Sequence, residues 1–238
     1  MASLNRMTSP FTAESLRFLR ALKRNNDREW FRARRERYER VVREPMIALV
    51  EQLARDFRRF APELVASPKA SMYRIYRDTR FSDNKTPLKT HVAVAFPWRG
   101  LPKHEGAGLY LEVAAGWMWV GGGMWRPQPP QLQRVREHIA ETFPEIHRLV
   151  RRTSFQRAVG ALEGERLSRV PRGFAKDNPA AHYLQYRQFV AGREFLPDLA
   201  ISAKFYPTVI RTFKAIMPLV RFLNEPLIEE KPGSIGQW

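Results

Sequence analysis

The hydrophobic period of this chain changes twice along its length, and that change restricts the fold more than any other feature. Near the N-terminus apolar side chains recur at helical spacing, first Leu16, Leu19 and Leu22, later Met46, Leu49, Val50, Leu53 and Phe57. From residue 71 the pattern becomes that of strands rich in β-branched and aromatic residues. "SMYRIYRD" and "THVAVAFPW" read as two strands, and "GLYLEVAAGWMWVGGG" as two more joined near Ala115–Gly116. After Pro129 and Pro130, Leu132, Val135 and Ile139 return to helical spacing. Helices at both ends with strands clustered between them predict a single α+β domain built on a mainly antiparallel central sheet. The expected organisation is helical over 10–60, strand-rich over 71–123 and helical over 128–223, with a loose tail at 229–238.

Local signals refine the helices. Thr12 is placed to cap the first, and Asn25 and Asn26 to end it. Asp27 then caps a second, whose inward stripe is Trp30 or Phe31 with Tyr38, Val41 and Val42. Pro45 is expected to kink or restart that helix, since proline lacks the amide donor. Further short helices are expected around 144–160 and 178–186, and a last one around 207–223.

Composition narrows the chemistry. The 238 residues contain no cysteine, which removes disulfides and thiolate catalysis or metal binding. No apolar run reaches the length of a membrane span, and the first residues lack a signal-peptide core, so a cytoplasmic protein with no membrane partner is expected. A formal net charge of +17 raises nucleic acid or acidic ligands as partners. Arginine far outnumbers lysine and both are spread along the chain, so genomic base composition explains the excess equally well.

The basic residues do concentrate in one place. "RIYRDTRFSDNKTPLKTH", residues 74–91, holds Arg74, Arg77, Arg80, Lys85 and Lys89 against Asp78 and Asp83. Two carboxylates do not neutralise five cations, so the remainder need water, distant acids such as Glu105 or Glu112, or a bound anion. Charge-assisted contacts to phosphate or carboxylate contribute roughly 1.5–3 kcal/mol each. If 72–78 is a strand, Arg74, Tyr76 and Asp78 share one face, and the loop 79–89 carries the cations above the strand ends. The candidate ligand-binding set is Arg77, Asp78, Arg80, Ser82, Lys85 and Lys89, with Gly122 and Gly123 as a neighbouring wall. An internal ion-pair network or a solvated loop accounts for the same residues without a ligand.

The triple glycine 121–123 matches neither the phosphate loop nor the dinucleotide fingerprint, but glycine at a strand end permits close approach or positive φ. Trp117, Trp119, Trp125 and Arg126 beside it could stack bases or cap sugars, or divide between core and surface. The histidines lack metal-ligand spacing, and His91 is the one placed to act as acid or base beside the basic stretch. No catalytic set and no cofactor can be assigned, and enzyme activity stays open.

Several stretches in order, "FLRALKRNNDREWF", "RIYRDTRFSDNKTPLKTH", "LYLEVAAGWMWVGGGMWRP" and "PRGFAKDNPA", resemble the domain of unknown function 2461 family. The resemblance implies that Asn26, Arg28, Glu29, Trp30 and Phe31 belong with Arg77, Asp78, Arg80, Phe81, Ser82, Lys85, Pro87 and Lys89. It also brings in Gly173, Asp177 and Pro179 near the same pocket. Asn84 stands where the family usually has Asp, and Leu88 where it favours Tyr. The leading expectation is a basic pocket for a phosphorylated or otherwise anionic small ligand. The alternatives are a nucleic-acid-binding module using the Trp-containing surface and a non-catalytic interaction domain.

Overall fold

Four strands form one antiparallel sheet in chain order: β1 (His91–Phe96), β2 (Gly108–Ala114), β3 (Met118–Met124) and β4 (Phe189–Phe195). The computed structural model describes residues 9–80, 82–102 and 105–228. The expected tail at 229–238, and Phe81 of the candidate loop, lie outside the described residues.

Alternation along the strands divides the sheet into two unlike faces. One carries Val92, Val94, Phe96, Leu109, Leu111, Val113, Met118 and Val120, all buried. The long C-terminal helix α10 (Phe205–Ile228) packs on this face, chiefly against β3. Helix α4 (Glu44–Phe60) joins it there through an aromatic triangle. Phe57 stands 4.9 Å from Phe96 and 6.0 Å from Phe213, while Phe96 and Phe213 are 6.0 Å apart. Rings at such spacings add about 0.5–1.5 kcal/mol per pair to their burial. Gly122 also faces α10. A Cβ there would come within 3.2 Å of Ile216 and 2.5 Å of the Gly108 carbonyl oxygen, so the missing side chain lets helix and sheet meet.

The N-terminal helices form as their caps direct. Helix α1 (Ala13–Arg24) starts after Thr12, whose amide donates to Ser15 Oγ at 2.9 Å, and ends at Asn25. In α2 (Arg28–Arg32) the carboxylate of Asp27 accepts the Glu29 and Trp30 amides at 2.7 and 2.9 Å. Helix α3 (Arg35–Tyr38) runs through a π-helical turn, Glu39–Arg43, into α4. The register changes just before Pro45: the Glu44 amide reaches back five residues to the Glu39 carbonyl, and this π-helical turn accommodates the missing proline amide within a continuous helical run. Past the short α5 (Pro68–Ser71) the chain enters the sheet.

Two expectations need correction. The segment 71–78 is not a strand: Met72 makes one bridge to Val94 and Tyr76 one to Leu88, with no continuous ladder. The shared face proposed for Arg74, Tyr76 and Asp78 therefore does not exist as a strand face. The stretch 128–223 is not wholly helical either. After α6 (Pro129–Glu141), α7 (Phe143–Arg151), α8 (Thr153–Val159) and α9 (Ala181–Leu184) it supplies β4, then a 3-10 turn, Pro197–Ile201, before α10. "FVAGREF" is short and carries Gly192, Arg193 and Glu194, so alone it reads weakly as a strand; pairing with β3 makes it one. The α+β architecture, with an antiparallel sheet and flanking helices in one domain, is as expected. Among the described residues no helix is long and apolar enough to cross a membrane.

Candidate functional site

The face of the sheet turned away from α10 bears side chains that a core would not choose. From β1 come His91, Ala93 and Ala95; from β2, Gly108, Tyr110 and Glu112; from β3, Trp119, Gly121 and Gly123; from β4, Val190, Gly192 and Glu194. Small residues clear the middle and large polar or aromatic ones surround it. The outcome is an open hollow of about 620 Å3, walled further by Tyr73, Lys89, Trp117, Trp125 and Glu163.

Trp119 depends on two glycines. A Cβ at Gly192 would lie 2.1–2.6 Å from three indole ring carbons, and one at Gly121 would lie 2.2 Å from the same ring. Gly121 and Gly192 are direct partners across β3 and β4. The indole thus lies against a patch that only glycine leaves open, and borders the hollow beside Tyr110. Gly123 adopts φ +126°, a conformation that disfavours any side chain.

The polar centre is Glu112. Tyr110, two residues earlier on the same strand face, donates its hydroxyl to Glu112 Oε2 at 2.6 Å. His91 Nε2 lies 3.4 Å from that same oxygen. The Tyr73 ring meets the Tyr110 ring edge-on at 6.2 Å, and Lys89 Nζ sits 4.7 Å from the Tyr73 ring centre. Burial holds the His91 imidazole below its ordinary value of 6.5; Glu112 pulls the other way, and Lys89 and Arg77 add to the lowering. Near neutral pH the His91–Glu112 contact is therefore a neutral ring beside a carboxylate rather than an ion pair. Burial first, and Glu112 second, push both the Tyr110 and Tyr73 hydroxyls upward, which keeps them protonated donors.

The basic loop is tied into itself. Arg80 grips Asp78 with Nε and Nη2 at 3.0 and 2.8 Å, which holds the Asp78 carboxyl down to about 2. Arg77 donates to Thr86 Oγ1 at 2.8 Å and to Ser82 Oγ at 3.5 Å, and Lys85 to the Thr79 carbonyl at 3.1 Å. Backbone bonds from Arg77 to Pro87 and from Lys89 to Ile75 close the loop at its base. Asn26 anchors it from outside: its amide donates to the Leu88 carbonyl at 2.8 Å and accepts the Leu88 amide at 3.0 Å. The Phe31 ring packs edge-on against Tyr76 at 5.9 Å. The grouping of Asn26 and Phe31 with the loop thus has a physical basis.

Of the candidate set, Lys89, Gly122 and Gly123 line the hollow. Arg77 stands near enough to act on His91 electrostatically. Asp78, Arg80, Ser82 and Lys85 are in the loop and not in the lining, and Gly173, Asp177 and Pro179 lie in turns before α9, also outside it. The two faces of β3 separate Trp117 and Trp119 from Met118 and Val120, as alternation predicts. Tyr73, Tyr110, Glu163 and Glu194 were not singled out from sequence. For Tyr110 a signal was available, because "LYLEV" alternates apolar residues with Tyr110 and Glu112. For Glu194 none was, since β4 was not legible. Among the described residues no cluster of three or more histidines and acids gathers to hold a metal ion.

A comparison with curated proteins finds no match. A family model does match, over residues 14–222, which takes in both the Asn26-anchored loop and every residue lining the hollow. The chain belongs to the DUF2461 family, described as a conserved hypothetical protein.

Proposed function

We propose that the hollow on the open sheet face binds a small ligand that combines a ring-shaped body with a single acidic group. The observation that carries this reading is the cavity itself. Its volume falls within the usual range for small-molecule sites, roughly 300–1,000 Å3, and aromatic walls surround a few convergent polar groups. Lys89 in the wall, and Arg77 near enough to lower the His91 pKa, make one end positive and suited to an anion. Glu112 in the middle, with Glu163 and Glu194 at the exposed rim, repels further negative charge. That arrangement favours one acidic group over a polyphosphate. A cytoplasmic location, on the cysteine-free composition, belongs to the same proposal.

Nucleic acid is the second reading. It is favoured by Trp125, 60% exposed, with the Arg126 guanidinium 5.4 Å from its ring centre. Trp125 also borders the hollow, and Trp117 and Trp119 within its lining would not serve a strand passing over the surface.

Tryptophan fluorescence and thermal shift with benzoate, adenosine monophosphate, small sugar acids and inorganic phosphate separate the readings. A ligand of the hollow raises the melting temperature and quenches the indoles, and Lys89→Ala weakens both effects. A single-stranded oligonucleotide that binds at about 50 mM salt with a steep salt dependence, while no small acid binds, would favour the second reading.

A further inference from the structure

Resting on the reading of the hollow as a ligand site, we infer that its ligand is an acidic monosaccharide, with the sugar ring laid on Trp119 and its hydroxyls donating to Glu112 and Glu194. Three features of the open face converge on this class.

The first is the platform. Trp119 lies against Gly121 and Gly192 and borders the hollow, to which its indole offers a flat apolar surface. The C–H face of a pyranose or furanose matches such a surface, as does the plane of a nucleobase or benzene ring.

The second is the hydrogen-bonding inventory, which tells these rings apart. Among the described residues the lining contains Glu112, Glu163 and Glu194 but no Ser, Thr, Asn, Gln or Arg side chain. Ionised carboxylates only accept hydrogen bonds. A ring rich in hydroxyl donors satisfies them. A nucleobase can donate to them too, through amino and imino N–H groups, but it offers fewer donors than a ring of hydroxyls and sets acceptors beside them, while benzoate brings no donor at all. A polyamine would satisfy the carboxylates, but Lys89 and Arg77 repel it from the other end.

The third is register. Glu112 is the direct partner of Trp119 across β2 and β3, and Glu194 is its direct partner across β3 and β4. The two carboxylate residues therefore flank the Trp119 backbone in one row, and the indole extends from that row over Gly121 and Gly192, beside the Tyr110 ring at 5.9 Å. The Cα atoms of Glu112 and Glu194 are about 9–10 Å apart at the usual strand spacing of about 4.7–4.9 Å. A sugar laid on the indole would meet the two carboxylates along the edge nearest this row. Its acidic group would lie at the end of the hollow where Lys89 rides over Tyr73.

The test uses the intact chain and isothermal titration with glucuronate, glucose 6-phosphate, glucose, benzoate, adenosine monophosphate and ribose 5-phosphate. Binding of glucuronate or glucose 6-phosphate with a dissociation constant below about 1 mM, at least tenfold tighter than glucose or benzoate, is expected. Glucuronate and glucose 6-phosphate also separate a carboxylate from a phosphate as the preferred acid. Glu194→Gln and Lys89→Ala, both away from the core, should each weaken that binding several-fold with unchanged circular dichroism. Benzoate binding as tightly as the acidic sugars, or adenosine monophosphate binding as tightly while ribose 5-phosphate does not, would overturn the sugar assignment and leave the hollow as a ligand site. Glucose binding equally well would overturn the acidic part of the assignment. If none of the six binds, both this inference and the reading beneath it fall.

Discussion

The basic loop at 77–89 and the open face of the sheet adjoin at Lys89, yet they treat their polar groups in opposite ways. In the loop the groups find partners within a few residues: Arg80 with Asp78, Arg77 with Thr86, Lys85 with the Thr79 carbonyl. On the open face the polar groups come from four strands and leave a hollow between them. Local density of charge is therefore a poor guide to a site, because charges close in sequence can also satisfy one another. On the open face Tyr110 and Glu112 also pair locally, but Lys89, Glu163 and Glu194 are brought from distant parts of the chain to border a hollow.

Each region also hangs on one asparagine that imitates a strand partner. Asn26 exchanges two hydrogen bonds with Leu88 at the loop base, and Asn224 exchanges two with Ala107 at the entry to β2, at 2.8 and 2.9 Å. Asn224 is fully buried and Asn26 is not, so the two should differ in cost. Asn224→Ala should lose about 3 kcal/mol or more in urea unfolding, since each orphaned buried group costs about 1–3 kcal/mol. Asn26→Ala should lose less, about 1–3 kcal/mol, and should loosen the loop in hydrogen exchange. Equal losses would mean that the loop is as integral to the core as the sheet.

Gly192→Ala strikes the open face alone. The added methyl meets the Trp119 ring, and overpacking of this kind costs about 1–3 kcal/mol. A shifted tryptophan emission and abolished ligand binding should accompany it. Unchanged emission would mean that the indole is not bedded on the glycines.

A smaller effect should appear in the titration of His91. Its native pKa lies below the ordinary 6.5, so its contribution to stability is present above pH 6.5 and is lost as pH falls through the lowered value. By proton NMR the His91 midpoint should fall further in Glu112→Gln, which removes the opposing influence, and rise in Lys89→Ala. A midpoint unmoved by either change would separate His91 electrostatically from the hollow.

The smallest effect belongs to the pair that looked most like a site. Arg80→Ala and Asp78→Ala should leave both melting temperature and ligand binding nearly unchanged, because the pair is solvent-exposed and screened. A binding loss of tenfold or more in either variant would bring the loop back into the site and erase the contrast between the two regions.

Much of the fold was legible because its signals are local. Caps at Thr12 and Asp27, the helical stripe through Leu49 and Leu53, and the alternation through Leu109, Leu111 and Val113 each lie within one element. The misread segments lack that independence. Residues 71–78 have strand-like composition but touch β1 and the loop only at isolated bridges. Conversely, Phe189–Phe195 has weak strand composition and a full ladder along β3. In both cases the available partner outweighed propensity.

By itself the sequence determined the alternation of helical and strand periods, the cysteine-free chemistry, and the density of cations beside the first strand, since these are properties of neighbouring residues. Only the tertiary structure decided that Arg77, Arg80 and Lys85 close on their own loop while Lys89 borders the hollow. It also decided that the described residues leave one sheet face uncovered, and that Glu112, Trp119 and Glu194 stand in one row. Such a row depends on the register of strands from separate parts of the chain, and register is set by pairing and by which face is buried.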